Sequence, residues 1–224
     1  SGNIYNTAVG SNAGTSVTTG IINTFVGGNS GDAVTTGNDN TALGYNSLGT
    51  NTASNRSVAV GSEALAALNI TTDTHVYNVG VGYNAGGAMT TGTLNTIVGG
   101  LAGDALTAGG RNVVMGQGAL STDTLGSRSV SIGYASLTTQ NFTTATDTYN
   151  TAVGYAAGNA VTTGNQTTLI GSLAGDAYTV GGTNVAVGYL ALSADTKGAL
   201  CVAIGAGALQ TQNFTTATNA NNVA

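Results

Sequence analysis

Proline and tryptophan are absent from this sequence, cysteine and histidine occur once each, and only 6% of the 224 residues are charged. Each shortage excludes something. A lone cysteine, Cys201, cannot form an intrachain disulfide and says little about compartment. With one histidine, His75, and one glutamate, Glu63, the parts for acid–base or nucleophilic catalysis are scarce. No partner motif stands near His75, so a solvated loop residue is the plain reading of it. Four Lys and Arg against nine Asp and Glu leave a net charge of −5, without the basic footprint that nucleic-acid binding requires. No stretch approaches roughly 18 uninterrupted apolar residues, and no basic stretch leads into an apolar run at the N-terminus. The segment is therefore expected not to insert into a membrane, and to be either processed or a piece of a longer chain.

What the chain has in quantity is glycine, 36 residues, and small polar side chains, over a hydrophobic content of 41%. The apolar residues fall at fixed intervals, which argues for a buried core rather than disorder. "YNTAVG" at Tyr5 to Gly10 returns as "YNVGVG" at Tyr77 to Gly82 and as "YNTAVG" at Tyr149 to Gly154. Glycines closing such short apolar stretches are Gly10, Gly27, Gly44, Gly61, Gly82 and onward to Gly205, with spacings of 17, 17, 17 and 21 residues. Twelve units thus form three superrepeats of 72 residues, 6–77, 78–149 and 150–221, within one domain, 1–224.

Three residues before every closing glycine stands Thr or Val, and one residue before it Val, Ile, Leu or Met. β-Branched residues in alternation predict a short strand. A 17-residue unit with Gly, Asn and Thr turns is too short for a helical repeat. The spacing predicts an all-β fold, a parallel β-solenoid (β-roll) of about twelve 17-residue coils. At about 4.8 Å per coil the rod is roughly 55–60 Å long. Three residues after each glycine comes Ala or Ser, and the next position follows the order Gly, Gly, Leu, Leu in every superrepeat.

If the two β-branched positions share the interior, the residue between them faces outward. That position is apolar in all but one coil, and its larger members, Phe25, Ile97, Val114 and Leu169, then form a candidate subunit interface. The alternative is that the position belongs to a wide monomer core.

The units "NTAVG..A" and "SVAIG..AL" resemble the head repeats of trimeric autotransporter adhesins, and the "NTAVGYNAG...TTG" style is also similar to the repetitive shafts of phage-type tail fibres. The resemblance covers all twelve coils, although the adhesin head repeat is usually shorter than the 17 residues here. It implies a β-roll associated three to a rod, a homotrimer, in an extracellular, cell-surface or virion setting, with a cell-surface glycan or protein receptor as the further partner. The resulting functional expectation is a non-catalytic structural and attachment fibre segment needing no cofactor.

Every fourth coil is four residues longer. The inserted texts run from Ala67 to Tyr77, Gln140 to Tyr149 and Gln212 to Asn219. As loops projecting from a rigid rod they are natural contact sites, and the candidates are Asn69, Ile70, His75, Asn141, Phe142, Asn213 and Phe214. The alternative is that the apolar residue folds back over the neighbouring coil. Tyrosines directly after a closing glycine (Tyr45, Tyr83, Tyr134, Tyr155 and Tyr189) add rings suited to glycan contact or to packing.

Two other functions compete. "TTG" at Thr18-Thr19, Thr35-Thr36, Thr90-Thr91 and Thr162-Thr163 suggests an ice-binding β-solenoid, although the pair gives way in the third and fourth coils. A polysaccharide-cleaving solenoid would need paired carboxylates. The "GDA" aspartates Asp32, Asp104 and Asp176 recur four coils apart, roughly 19 Å by strand spacing, against the ~5–9.5 Å of a catalytic pair. Local turn bonding is the simpler role for them. Asp123 and Asp195, followed by Arg128 and Lys197, suggest local ion pairs.

Overall fold

The computed structural model describes residues 4–224 and shows a parallel β-solenoid, with no helix among those residues. One three-residue strand per coil, beginning Thr7–Val9, Thr24–Val26, Thr41–Leu43 and Val58–Val60, joins a 12-stranded sheet whose order follows the chain. The pairing is parallel and in register, Thr7 to Thr24, Ala8 to Phe25, Val9 to Val26, and so on to Val202–Ile204. Val223 then bridges Val202 as the start of a thirteenth turn.

The alternation along each strand is as the sequence predicts, but its phase is reversed. The middle residue faces in: Phe25, Ala42, Ala59, Ile97, Val114, Ala152, Leu169, Ala186 and Ala203 are all buried. Phe25, Ile97, Val114 and Leu169 are therefore core and cannot be the subunit interface. The flanking residues, Thr or Val on one side and Val, Leu, Met or Ile on the other, point outward, and none is buried. The coil is too thin for two β-branched side chains per strand to point inward. A single inward residue meets the segment after the closing glycine directly.

That close meeting explains the Gly, Gly, Leu, Leu order. Where the strand carries a large side chain, the opposing wall has glycine. A Cβ built on Gly14 or Gly31 would lie 2.8 or 2.5 Å from the Phe25 ring, and one on Gly158 or Gly175 2.7 or 2.8 Å from Leu169. Where the strand carries Ala42, Ala59, Ala186 or Ala203, the wall supplies Leu48, Leu65, Leu192 or Leu209. In each superrepeat one large strand residue, Phe25, Ile97 or Leu169, spans two wall glycines, and the two wall leucines that follow stand opposite smaller strand residues, which keeps the core filled.

The closing glycines form a column of their own. Gly10 has φ +132°, and a Cβ on it would lie 2.5 Å from the Gly27 carbonyl oxygen of the next coil. Both the conformation and the approach require glycine.

Inside, four residues before each closing glycine, runs an amide ladder. Asn23, Asn40, Asn78, Asn95, Asn112, Asn150 and Asn184 are buried. Asn23 Nδ2 donates to the Gly37 carbonyl at 2.8 Å, and its Oδ1 accepts from the Asn40 amide at 3.0 Å. The same pattern recurs at Asn95 and Asn184. Each rung satisfies polar groups that the buried turn would otherwise leave unpaired. In the fourth coils Ser57, Ser129 and Cys201 take the slot, all buried, so Cys201 is a small packing residue.

Candidate functional site

The four-residue insertions do not project. Each pairs back on the preceding coil as a short parallel ladder: Ser54–Asn55 with Thr74–His75, Gly126–Ser127 with Thr146–Asp147, and Gly198–Ala199 with Thr218–Asn219. Phe142 is 7% exposed, Ile70 packs against the core, and Phe214 is half-buried. Phe142 and Ile70 therefore turn toward the core, because an apolar side chain beside an uncovered coil edge gains by covering it, while Phe214 keeps part of its ring in solvent. The asparagines before them are tied as well: Asn69, Asn141 and Asn213 accept hydrogen bonds from the hydroxyls of Thr52, Thr124 and Thr196. His75 remains exposed, with its ring edge-on to Tyr77 at 6.0 Å and Nδ1 3.3 Å from the Asn55 amide.

Asp123 and Asp195 are buried and are not ion-paired with Arg128 and Lys197. Asp123 accepts from the Gly126 and Phe142 amides at 3.1 and 3.0 Å and from Gln140 Nε2 at 2.5 Å. Gln140 in turn donates to Ser129 and accepts from Asn150. Burial pushes the Asp123 carboxyl up, and these three hydrogen bonds oppose the shift. The third superrepeat repeats the device with Asp195 and Gln212, whereas the first has Asn51 and Leu68 there. Arg128 instead sits between Asp147, 3.2 Å away, and the Tyr149 hydroxyl at 2.6 Å. Arg56 bonds Tyr77 in the same way. Asp123, Gln140, Ser129 and Asn150 thus form a buried polar plug bonded within itself.

The "GDA" aspartates stand one per superrepeat, five residues after a closing glycine. The expected local bonding is incomplete, since Oδ1 of Asp32, Asp104 and Asp176 is buried without a partner. Desolvation pushes the carboxyls of Asp104 and Asp176 up, with backbone amides opposing. Among the described residues no three of His, Cys, Asp and Glu gather in a way that could hold a metal ion.

The first threonine of each pair is engaged along the stack. Thr18 Oγ1 donates to the Thr35 carbonyl at 3.1 Å, Thr35 to Thr52 at 3.1 Å, and Thr90, Thr107, Thr162 and Thr179 do the same one coil on. The hydroxyl protons of this row hold neighbouring coils together.

What remains as a surface of unusual chemistry is the outward side of the sheet. Its inner row reads Thr7, Thr24, Thr41, Val58, Val79, Thr96, and its second row Val9, Val26, Leu43, Val60, Val81, Val98, continuing through Met115, Ile132, Ile170 and Ile204. Val9, Leu43, Met115, Ile170 and Ile204 are 38–62% exposed. The side chains sit in register about 4.8 Å apart, in a strip two residues wide and on the order of 50 Å long. A contiguous strip with this much apolar surface is of the kind that marks an interaction face. Sequence reasoning identified the period and both rows but placed them inside.

A second surface carries the tyrosines. Tyr45, Tyr83, Tyr134, Tyr155 and Tyr189 are 53–58% exposed, and the Tyr134 and Tyr155 rings stack at 5.5 Å with 9° between planes. Comparison with family models, with curated proteins and with solved structures yields no match.

Proposed function

We propose that this chain is a non-catalytic segment of a rigid attachment fibre, extracellular or on a virion, in which three copies associate along their outward apolar rows. The observation that carries the reading is that strip: two rows of Thr, Val, Ile, Leu and Met facing solvent along the whole sheet. An isolated chain holding such a face in water would be prone to nonspecific association. A narrow strip suits convergence on a shared axis, where each copy touches both neighbours and the assembly closes. The resemblance to adhesin heads and tail-fibre shafts supports the number three.

Rigidity follows from the glycine column, present in every coil, and from the Asn and threonine bonds that tie most coils to the next. A rod of this kind transmits position rather than chemistry. Replacing Val98 and Val187 by Asp puts two charges on the strip without touching the core. Sedimentation is expected to show the assembly broken down to single chains with the solenoid's circular dichroism unchanged. An unchanged assembly state would refute the role of this face.

A further inference from the structure

The second position after each closing glycine has a left-handed backbone in every coil and usually carries a side chain: Leu101, Ala135, Ala156, Leu173 and Leu190 in the later coils. In the seventh coil it is Gly118, φ +65°, where a Cβ would meet nothing within 4 Å. The missing side chain opens a surface notch of about 300 Å³ between Leu101 and Ala135. The size lies at the lower end for small-molecule sites.

The lining is unlike the rest of the rod. Asp104, Gln117, Ser121, Tyr134 and Thr138 surround Gly118. Thr138 Oγ1 donates to the Gly118 carbonyl at 3.3 Å and so braces the floor. The Gln117 carboxamide and the Ser121 hydroxyl have no partner among the described residues. Asp104 has one oxygen buried without a donor, which leaves its outer oxygen as the place to accept hydrogen bonds. One face of the Tyr134 ring is covered by Tyr155, which does not line the notch, so the notch meets what the stack leaves open. No Lys, Arg or His is present there.

We propose that this notch is a binding site for a neutral sugar, the terminal hexose or N-acetylhexosamine of a glycan. A sugar ring has an apolar C–H face and a rim of hydroxyls. Tyr134 offers an apolar surface to the first. Asp104, Gln117 and Ser121 offer an acceptor, an amide and a hydroxyl to the second. The carboxylate, with no cation beside it, excludes sialylated, uronate and sulfated sugars by like-charge repulsion. The site follows the closing glycines and lies off the outward sheet rows. The proposal rests on the attachment half of the reading above and not on the number of chains.

The test is a glycan array carrying neutral hexose and N-acetylhexosamine termini beside sialylated and sulfated ones, probed with the native chain and with Gly118→Leu and Tyr134→Ala. Leucine fits the backbone at this place, since Leu190 holds φ 55° in the corresponding position of the next superrepeat. The expected result is binding confined to neutral termini and weakened at least about tenfold in both variants, with sedimentation and circular dichroism unchanged. Binding that survives Gly118→Leu overturns the notch while leaving attachment elsewhere on the rod intact. Binding to anionic termini alone, or to none of the panel, overturns the proposal too, and self-association is read separately by sedimentation.

Discussion

The large-against-small packing of the core makes a prediction that two single substitutions and their combination can decide. Leu169 is fully buried, and its two methyl groups occupy the space left by Gly158 and Gly175. Leu169→Ala empties that space, and a leucine removed from a rigid core costs about 2.7–5 kcal/mol. Gly175→Leu crowds the same space, because its Cβ alone would stand 2.8 Å from Leu169 Cδ2. Overpacking of this kind costs about 1–3 kcal/mol. The double variant recreates the neighbouring coil, where Ala186 faces Leu192 and the leucine holds φ 55° against +56° for Gly175. Leucine has already been accommodated at that backbone. We therefore expect the pair to be less destabilised than either single variant, with a coupling of at least about 2 kcal/mol. Urea unfolding followed by circular dichroism on the four proteins closes the cycle. Additive losses would refute the complementarity argument and the inward placement of the strand's middle residue with it.

Three further outcomes follow from individual positions. Ser57 Oγ is buried without a partner because Leu68 and Val76 stand where the second superrepeat has Gln140 and Thr148, which bond Ser129. Ser57→Ala should be neutral or slightly stabilising in thermal unfolding, while Ser129→Ala, which orphans its partners, should cost about 1–3 kcal/mol. Asp176 has its folded pKa raised by desolvation, so its ionisation opposes folding: the native state is unpenalised below the unfolded value of about 3.9 and loses stability as pH rises through the folded value. Asp176→Asn should raise the unfolding midpoint at pH 7 and leave it unchanged near pH 3, and a gain of equal size at both would contradict the assignment. Gly99→Ala should be strongly destabilising for so small a substitution, since φ is +136° and the new Cβ would stand 2.6 Å from the Gly116 carbonyl oxygen; native-like melting of that variant would mean the column is not as close as described.

The fold was legible because a β-solenoid writes its geometry as a period. The glycine spacing, the β-branched pairs and the Asn column each follow from one coil stacking on the next. The phase was not legible, since Val9 and Ala8 carry no local sign of which faces the core. Only the size match of Phe25 with Gly14 and Gly31, residues on opposite sides of the coil, decides it. Part of the signal was available in the Gly, Gly, Leu, Leu order, since the bulkiest strand residues, Phe25, Ile97 and Leu169, fall in coils with glycine and Ala42, Ala59, Ala186 and Ala203 in coils with leucine. The insertions misled for a different reason. Phe142 looks like a presented aromatic in the sequence, but the extra residues form a second rung on Gly126–Ser127 and carry the ring inward. The notch depends on an absent side chain at Gly118, which stands out only when its column of neighbours is aligned.

The central claim is that the outward rows of the sheet are covered by further copies of the chain. Sedimentation equilibrium of the native protein at micromolar concentration tests it most directly. The account predicts a single species of three times the 21.7 kDa chain mass. A stable, soluble monomer under the same conditions would contradict it.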